Sequence, residues 1–260
     1  MLIKTWYLLG LLLLSLVFSF AEAAKYLTEK PDILIPCSLD DAGFNNCLGR
    51  NLQVMLTNWK DGVPGTKTVG PWEPFSIKRV KLSQNDNSAL AINADLRNIV
   101  VRGASQAVVK ETRYNQKQYK LRALLNIPKL SFDFDYKVRG NILVLNLNGQ
   151  GKGQFEAGKI TMVVELDVKP RITPEANFAD LQHVKTNIPE IGSFKVKLNN
   201  LFGGDKQLEE TAHTIINENW RQFVDILRPA IEQAIEAVMS DRFTKLLNYL
   251  PATYLIENFH

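Results

Sequence analysis

Hydrophobic residues alternate with polar ones along most of the stretch from Phe75 to Leu198. A period of two is typical of strands with one buried face and one face in water. Two runs show it most clearly: Leu130, Phe132, Phe134, Tyr136 and Val138 in the first, and Ile160, Met162, Val164, Leu166 and Val168 in the second. The alternation favours an antiparallel sheet, because parallel strands are usually buried on both faces and appear as continuous apolar runs.

Weaker alternation predicts further strands at Ile77–Leu82, Leu90–Leu96, Val108–Tyr114, Tyr119–Ala123, Ile142–Leu147 and Phe194–Leu198. Three glycines, Gly149, Gly151 and Gly153, interrupt this region. Their spacing does not match a dinucleotide-binding loop, and a strand pattern follows them where such a loop requires a helix. We therefore expect a turn or bulge that bends the sheet at these glycines.

Helical periodicity appears on both sides of the strand region. Apolar residues at intervals of three and four from Phe44 to Trp59 predict an amphipathic helix that ends near Asp61-Gly62. A second helical pattern runs from Asp205 to Tyr249 and predicts a very long helix, with a kink or break at Pro229. The apolar stripe of this helix and the apolar face of the sheet can cover each other, which places the chain in the α+β class.

The N-terminal residues have the features of a secretory signal peptide. Lys4 precedes an apolar run that reaches Phe20, and Ala21, Glu22 and Ala23 follow as an A-x-A cleavage pattern. The run is shorter than the roughly 20 residues that span a bilayer, so an uncleaved anchor is disfavoured. We expect cleavage after Ala23, or after Ala21 as the near alternative. Residues 1–23 are then the leader and 24–260 one secreted, extracellular domain.

Charge and cysteine content narrow the function further. The formal net charge is +4, and no run of five or more like charges occurs, so nucleic acid is not an expected partner. In an oxidising compartment Cys37 and Cys47 predict a disulfide, worth about 3 kcal/mol by loop closure. The three histidines, His183, His213 and His260, lie far downstream at spacings that do not suit a metal, and no metal or cofactor is expected.

Several short segments, taken together, resemble the takeout and juvenile-hormone-binding protein family of insects. The order and spacing of these segments carry the resemblance along nearly the whole mature chain. They are Ile35-Pro36-Cys37 with Cys47-Leu48, Asp61-Gly62-Val63-Pro64, Glu73-Pro74, Leu147–Gly153, Asn199–Gly204, Leu208 and Ile216–Trp220.

The resemblance implies a long C-terminal helix wrapped by a highly curved antiparallel sheet, with an apolar tunnel between them. It implies a secreted, non-enzymatic carrier of a small lipophile such as a terpenoid hormone or a fatty acid, with a role in hormone, feeding, circadian or chemosensory signalling. Hormone-binding members tend to have a second disulfide, so a single cysteine pair favours the takeout-like branch over a carrier of juvenile hormone itself. A receptor or tissue partner is left unidentified.

We expect the tunnel lining to include members of the two clearest strands and of the C-terminal helix. The candidates are Phe132, Phe134, Tyr136, Val138, Met162, Val164, Trp220 and Phe223. Polar contacts to a ligand could come from Tyr136, Thr161 and Trp220.

Two other functions compete with this interpretation. A secreted lipid esterase would need a nucleophilic serine, and the nearest segment, Gly103–Ala107 around Ser105, lacks the second glycine and the strand-turn-helix context. We expect His183 in a polar loop and His213 on the solvent side of its helix, where neither assists catalysis. A membrane-surface lipid-transfer protein would use the C-terminal helix, but its polar face is acidic where interfacial helices are basic. Stable membrane insertion is therefore not expected.

Overall fold

The computed structural model describes residues 25–87, 90–142 and 145–260. The expected leader, residues 1–23, lies outside them. The chain forms helix α1 (Phe44–Asn58), strands β1 (Phe75–Asn87), β2 (Leu90–Arg102), β3 (Val108–Asn115), β4 (Lys120–Ile142), β5 (Leu145–Ile172) and β6 (Asn177–Leu198), and helices α2 (Lys206–Glu218) and α3 (Trp220–Tyr249). Short 3-10 turns lie at Ala104–Gln106 and Ala252–Tyr254.

The strands form one antiparallel sheet in the order β1-β2-β4-β5-β6, with β3 paired to β4 on its own. This confirms the predicted antiparallel α+β arrangement. Strands β4, β5 and β6 are 23, 28 and 22 residues long, so several predicted strands are parts of one longer strand. Such long strands supply the twist that lets a sheet curve around a helix.

The predicted turn or bulge at the three glycines is wrong. Gly149, Gly151 and Gly153 lie inside β5, and their pairing with β4 continues without a shift in register. They serve close packing. A Cβ added to Gly153 would lie 2.3 Å from the Phe134 ring, and one added to Gly149 would lie 2.5 Å from the Leu201 carbonyl oxygen. These positions therefore stay free of side chains so that an inner-face ring and the chain after β6 can approach the sheet.

The first half of β6 was missed because its polar residues do not alternate cleanly with apolar ones. His183 is an exposed residue of this strand, not of a loop as predicted. Among the strands of the described ranges, β6 has a neighbour on one side only. A strand at the sheet edge receives less burial, so its sequence needs less regular patterning.

The C-terminal helical segment is interrupted at Asn219, ten residues before the predicted site. The Asn219 side chain donates a hydrogen bond to the Ile215 carbonyl at 2.9 Å and ends α2. Helix α3 continues through Pro229, so the predicted break there is wrong. Buried Val224 and Ala230 anchor the helix on both sides of the proline, which compensates for the missing N–H donor.

Helix α3 contacts both outer strands of the sheet, β1 and β6. At β1 the Arg242 guanidinium lies 4.4 Å from the Phe75 ring centre and donates to the carbonyl oxygens of Ser76 and Val69. One helix can touch both edges only if the sheet curves around it. The predicted wrapping of the helix by the sheet is confirmed.

At β6 the acidic residues of α3 complete the hydrogen bonding of the sheet edge. The Glu236 carboxylate accepts from the Thr186 N–H at 2.7 Å, and Glu232 accepts from the Ile188 N–H at 2.9 Å. Arg228 donates to the Ile188 carbonyl. An edge strand otherwise presents unpaired backbone groups. These acidic residues therefore attach the helix to the sheet.

Helix α2 continues the same attachment. The Asn217 side chain accepts from the Val196 N–H at 2.8 Å and donates to the Val196 carbonyl at 3.0 Å. His213 Nε2 accepts from the Leu198 N–H at 2.9 Å. The expectation that His213 is solvated is wrong, since the ring is half-buried at the sheet edge.

The N-terminal arm is attached at two points. The expected disulfide between Cys37 and Cys47 is present, with Cα atoms 5.8 Å apart, and links the arm to α1. Backbone hydrogen bonds of 2.9 Å join Cys37 to Leu255 and Glu257 in the C-terminal segment. The arm, α1 and the C-terminus therefore form one closed end of the molecule.

Candidate functional site

The space between the sheet and helices α2 and α3 is lined by two adjoining apolar clusters. The loop-end cluster comprises the buried residues Ile92, Ile99, Val101, Phe134, Tyr136, Val138, Leu147, Val196, Leu201, Ala212, Ile216 and Phe223. The helix-end cluster comprises Ala107, Ile127, Ala157, Ile160, Met162, Val164, Leu166 and Ile188. Leu130 and Phe194 pack against both, so the apolar interior is continuous from one to the other.

The structure places the eight predicted lining residues along this interior. The loop-end cluster contains Phe134, Tyr136, Val138 and Phe223, with Phe132 packed against it, and the helix-end cluster contains Met162 and Val164. Trp220 is half-buried at the start of α3, with its ring 6.4 Å from that of Phe194. The predicted residues are therefore spread along the interior, since Val138 pairs with Gly149 and Val164 with Ala123 near opposite ends of the β4–β5 pair. Their contact with a ligand stays a prediction.

Some apolar residues of the interior are only partly covered. Phe155 lies in β5, which has a neighbouring strand on each side, and its outward-facing neighbours Gln154 and Glu156 are exposed. Its ring contacts those of Phe134 at 4.6 Å and Phe194 at 5.7 Å, yet the residue remains half-buried. Because the side chain points inward, its remaining accessible surface must face the space between the sheet and the helices.

The second half of α3 shows the same property. Ile231, Ile235 and Met239 pack against the helix-end cluster and are also half-buried. Buried apolar residues in a filled core are normally enclosed almost completely. On both the sheet side and the helix side, therefore, some apolar residues of the interior are only partly covered by protein atoms.

The predicted lining did not include Phe155, Phe194, Ile231, Ile235 or Met239. The signal for the helical ones was present, since they lie on the apolar stripe of the long predicted helix. Phe155 was predicted to lie in the strand that follows the glycines, but the candidates were chosen from the two most regular runs, which do not include it. The exposed fraction of a side chain cannot be predicted from periodicity, because residues that line a tunnel and residues of a filled core follow the same sequence pattern.

The loop 199–205 between β6 and α2 closes the loop-end cluster. Leu201 is fully buried there, and the Tyr136 hydroxyl donates to the Asn199 carbonyl at 2.9 Å. Burial, with a smaller contribution from the nearby Glu209 carboxylate, raises the pKa of Tyr136 to about 12. Tyr136 therefore stays protonated as a donor to the loop and is not a free donor for a ligand.

Glu209 in the first turn of α2 holds the same loop. Its buried carboxylate accepts from the Leu201 N–H at 3.1 Å, from the Asn200 N–H, and from the Lys206 ammonium at 3.1 Å. Burial alone would raise the pKa of Glu209, but these hydrogen bonds outweigh it and hold the pKa below the ordinary glutamate value. The charged carboxylate therefore stabilises the closed loop.

The other proposed polar contacts have different surroundings. Thr161 lies outward between the buried Ile160 and Met162, and its hydroxyl is 3.4 Å from the Glu190 carboxylate. It does not face the interior, so its proposed contact with a ligand is wrong. The Arg221 guanidinium lies over the Trp220 ring, 4.6 Å from its centre. Trp220 itself is half-buried, at the boundary between the interior and solvent.

The serine considered for catalysis has a structural partner. Ser105 lies in the 3-10 turn after β2, and its hydroxyl donates to the Glu73 carboxylate at 3.2 Å. The same carboxylate accepts from the Gly103 N–H at 2.8 Å. A nucleophilic serine needs a base that takes its proton, usually a histidine oriented by a third group. Glu73 instead fixes the turn that joins β2 to β3.

A comparison with known protein families identifies the fold. The model of the haemolymph juvenile hormone binding protein family matches residues 12–257. The chain belongs to this family. The family comprises binding and carrier proteins for hormones and other lipophiles, which agrees with an apolar interior.

Individual members of the family align along most of the chain. The circadian clock-controlled protein daywake of Drosophila yakuba is 26% identical over 245 residues, which are 88% of this chain and 87% of that protein. Daywake of Drosophila melanogaster is 22% identical over 234 residues, 87% of this chain and 88% of that one. The crystal structure of Epiphyas postvittana Takeout 1 superposes with a TM-score of 0.71 at 19% identity, over 85% of this chain and 99% of that one, and shows the same fold.

Within the described ranges, no helix is both long enough and apolar enough to cross a membrane.

Proposed function

We propose that this member of the family is a secreted carrier that encloses a small hydrophobic ligand between the inner face of the sheet and helix α3. The supporting observation is the half-buried state of Phe155, an inward-facing residue of a strand flanked on both sides. Residual apolar surface at this place is available to a ligand and costs free energy when it faces water. Family membership agrees with binding as the activity and gives no support to catalysis.

The expected ligand is elongated and mostly apolar. We place the ligand along the half-buried residues Phe155 on β5 and Ile231, Ile235 and Met239 on α3, whose rings and aliphatic side chains offer few hydrogen bonds. Removing a chain of about fifteen carbons from water contributes roughly 12 kcal/mol before the costs of association and ordering are subtracted. The remainder supports micromolar or tighter binding.

Filling the interior should prevent binding. Ile235→Trp adds an indole where α3 faces the helix-end cluster, and we expect it to weaken binding of an environment-sensitive fluorescent fatty acid at least tenfold. Gln233→Trp adds the same ring on the exposed side of α3 and serves as the matched control. Equal affinities for both variants would contradict the proposed site.

The natural ligand can be found from the protein in its own tissue fluid. Native mass spectrometry should show a mass increment for a retained small molecule, and denaturing extraction should release it. The intact mass of the same sample locates the N-terminus, which we expect at Ala24. A protein recovered only from inside cells would contradict secretion. The circadian role of the daywake relatives suggests sampling across the day.

A further inference from the structure

Polar side chains form a regular grid on the outer face of the sheet, opposite the loop-end cluster. Cross-strand pairing aligns β1, β2, β4 and β5 in three rows of four residues. The rows are Ser83, Asn93, Arg139 and Asn148; Lys81, Asp95, Lys137 and Gln150; and Arg79, Arg97, Asp135 and Lys152. We call these twelve residues the outer-face grid.

The outer-face grid concentrates positive charge. Six of its residues are lysine or arginine and two are aspartate, which leaves a net charge of +4. The formal net charge of the entire chain is also +4. The cations are separated in the sequence because every second strand residue points inward, and strand pairing then brings them together on one face.

Both aspartates of the grid are already engaged. Asp95 binds Arg79 and Arg97, each at 2.7 Å, and these hydrogen bonds hold the pKa of Asp95 far below its usual range. Asp135 lies 3.4 Å from the Lys152 ammonium. The two aspartates therefore neutralise charge on Arg79, Arg97 and Lys152, the cations of the third row. The other cations of the grid remain exposed to solvent.

Three cations of the grid have no acidic partner. Lys81, Lys137 and Arg139 are exposed and form no ion pair with any residue of the described ranges. Lys81 and Lys137 are both aligned with Asp95, whose oxygens bind the two arginines. Three solvated cations on β1 and β4, the two strands on either side of β2, create a positive potential that attracts anions.

A groove connects Lys137 and Arg139 of these cations to the closing loop. It has a volume of about 400 Å³ and is lined by Lys137, Arg139, Asn148, Gln150 and Gly149, together with Asn200 and Gly203 of the loop 199–205. The Asn200 side chain donates to the Gln150 carbonyl at 2.9 Å. The positive face therefore borders the loop that covers the end of the apolar interior.

We propose that the outer-face grid docks the protein reversibly on an anionic lipid bilayer, with the loop 199–205 beside the membrane. Docking depends only on the charges of the grid. The docked end could also serve for loading or release of a ligand. This second role rests on the proposed carrier function.

The composition of the grid favours a bilayer over an acidic protein. All twelve residues are polar or charged, whereas the centre of a protein–protein interface is usually apolar and rich in aromatic residues. An anionic membrane attracts lysine and arginine without shape complementarity, and the attraction weakens with salt. Docking of this kind requires no inserted helix.

The test measures sedimentation of the secreted protein with vesicles of phosphatidylcholine, with and without phosphatidylserine. We expect binding only to the phosphatidylserine vesicles, with loss at high salt. The combined variant Lys81→Gln, Lys137→Gln, Arg139→Gln should bind about 100-fold more weakly, because each basic residue contributes roughly fivefold near such a surface.

The matched control removes the same number of charges from another part of the sheet. Lys185→Gln, Lys195→Gln and Lys197→Gln neutralise exposed lysines of β6 that form no ion pair within the described ranges. This variant should retain binding within a few-fold of the unmodified protein. Equal losses in both triple variants would show an effect of net charge alone and overturn the proposal.

Two further outcomes would each be decisive. Binding to soluble polyglutamate, with none to phosphatidylserine vesicles, would assign the grid to an acidic protein and overturn the proposal. Titration with the fluorescent fatty acid in the absence of vesicles separates docking from carrying. The grid variant should keep its affinity for the fatty acid, and vesicle binding without any fatty-acid binding would uphold docking while rejecting the carrier function.

Discussion

The two ends of the apolar interior differ in how completely they are filled. Under the loop 199–205 at the loop-end cluster, Phe134, Tyr136 and Phe223 are 4 to 6% exposed, and hydrogen bonds to the loop close the end. Phe155 packs against the same cluster farther from the loop and remains half-buried. In the helix-end cluster the sheet side is equally buried, but Ile231 and Ile235 opposite it remain half-buried.

Because of this difference, we expect the covered part of the interior to contribute mainly to folding stability and the partly exposed part to contribute mainly to ligand binding. Closely packed side chains gain dispersion and hydrophobic energy in the folded state itself. Apolar surface that stays accessible gains that energy only when a ligand covers it. We therefore expect substitutions at the loop end to lower the free energy of unfolding, and substitutions at the helix end to act mainly on affinity.

The largest expected effect is that of Phe223→Ala. Removing a fully buried ring leaves a cavity, and the free energy of unfolding should fall by about 3–5 kcal/mol. Met239→Ala, at the half-buried helix end, should cost less than half as much because part of its side chain has no packing partner. Urea denaturation of the ligand-free protein measures both losses. Equal losses would show that the helix end is packed as densely as the loop end.

Glu209→Gln should have an intermediate effect at the loop end. Replacing the buried carboxylate weakens its hydrogen bonds to Leu201, Asn200 and Lys206, and the expected loss is about 1–3 kcal/mol near neutral pH.

The loss at Glu209 should depend on pH with a definite sign. The pKa of Glu209 is lowered in the folded protein, so its stabilisation is complete above the pH at which an unfolded glutamate ionises. It disappears as the pH falls through the lower folded-state pKa. Urea midpoints of the two proteins should therefore converge in acid, and a constant difference would contradict the role of the charge.

Tyr136→Phe should have the smallest effect. The substitution keeps the ring and removes only the hydrogen bond to the Asn199 carbonyl, so the free energy of unfolding should fall by about 1 kcal/mol. Affinity for the fluorescent fatty acid should stay unchanged, since the hydroxyl is directed to the loop. A large loss of affinity with unchanged stability would indicate that Tyr136 contacts the ligand after all.

Local sequence patterns predicted the parts of the fold that depend on interactions between residues close together in the chain. The alternation of Leu130–Val138 and the helical intervals of Phe44–Trp59 correspond to β4 and α1. The two cysteines could be paired because no others occur in the chain. The predictions of a turn or bulge at the three glycines and of a break at Pro229 failed, because the packing of Phe134 and the loop against β5, and of α3 against the sheet, overrides local preference.

The amino-acid sequence was enough to establish an antiparallel sheet with one apolar face, a long helix with an apolar stripe, and a family resemblance that the family comparison confirmed. The three-dimensional fold was needed to distinguish filled from accessible inner surface at Phe223 and Phe155, since both follow the same periodicity. It was also needed to place Lys81 and Lys137, which are far apart in the chain, on either side of Asp95 in one row of the sheet. Periodicity specifies the direction of a side chain relative to its own strand or helix, whereas enclosure and charge clustering depend on which strands and helices become neighbours.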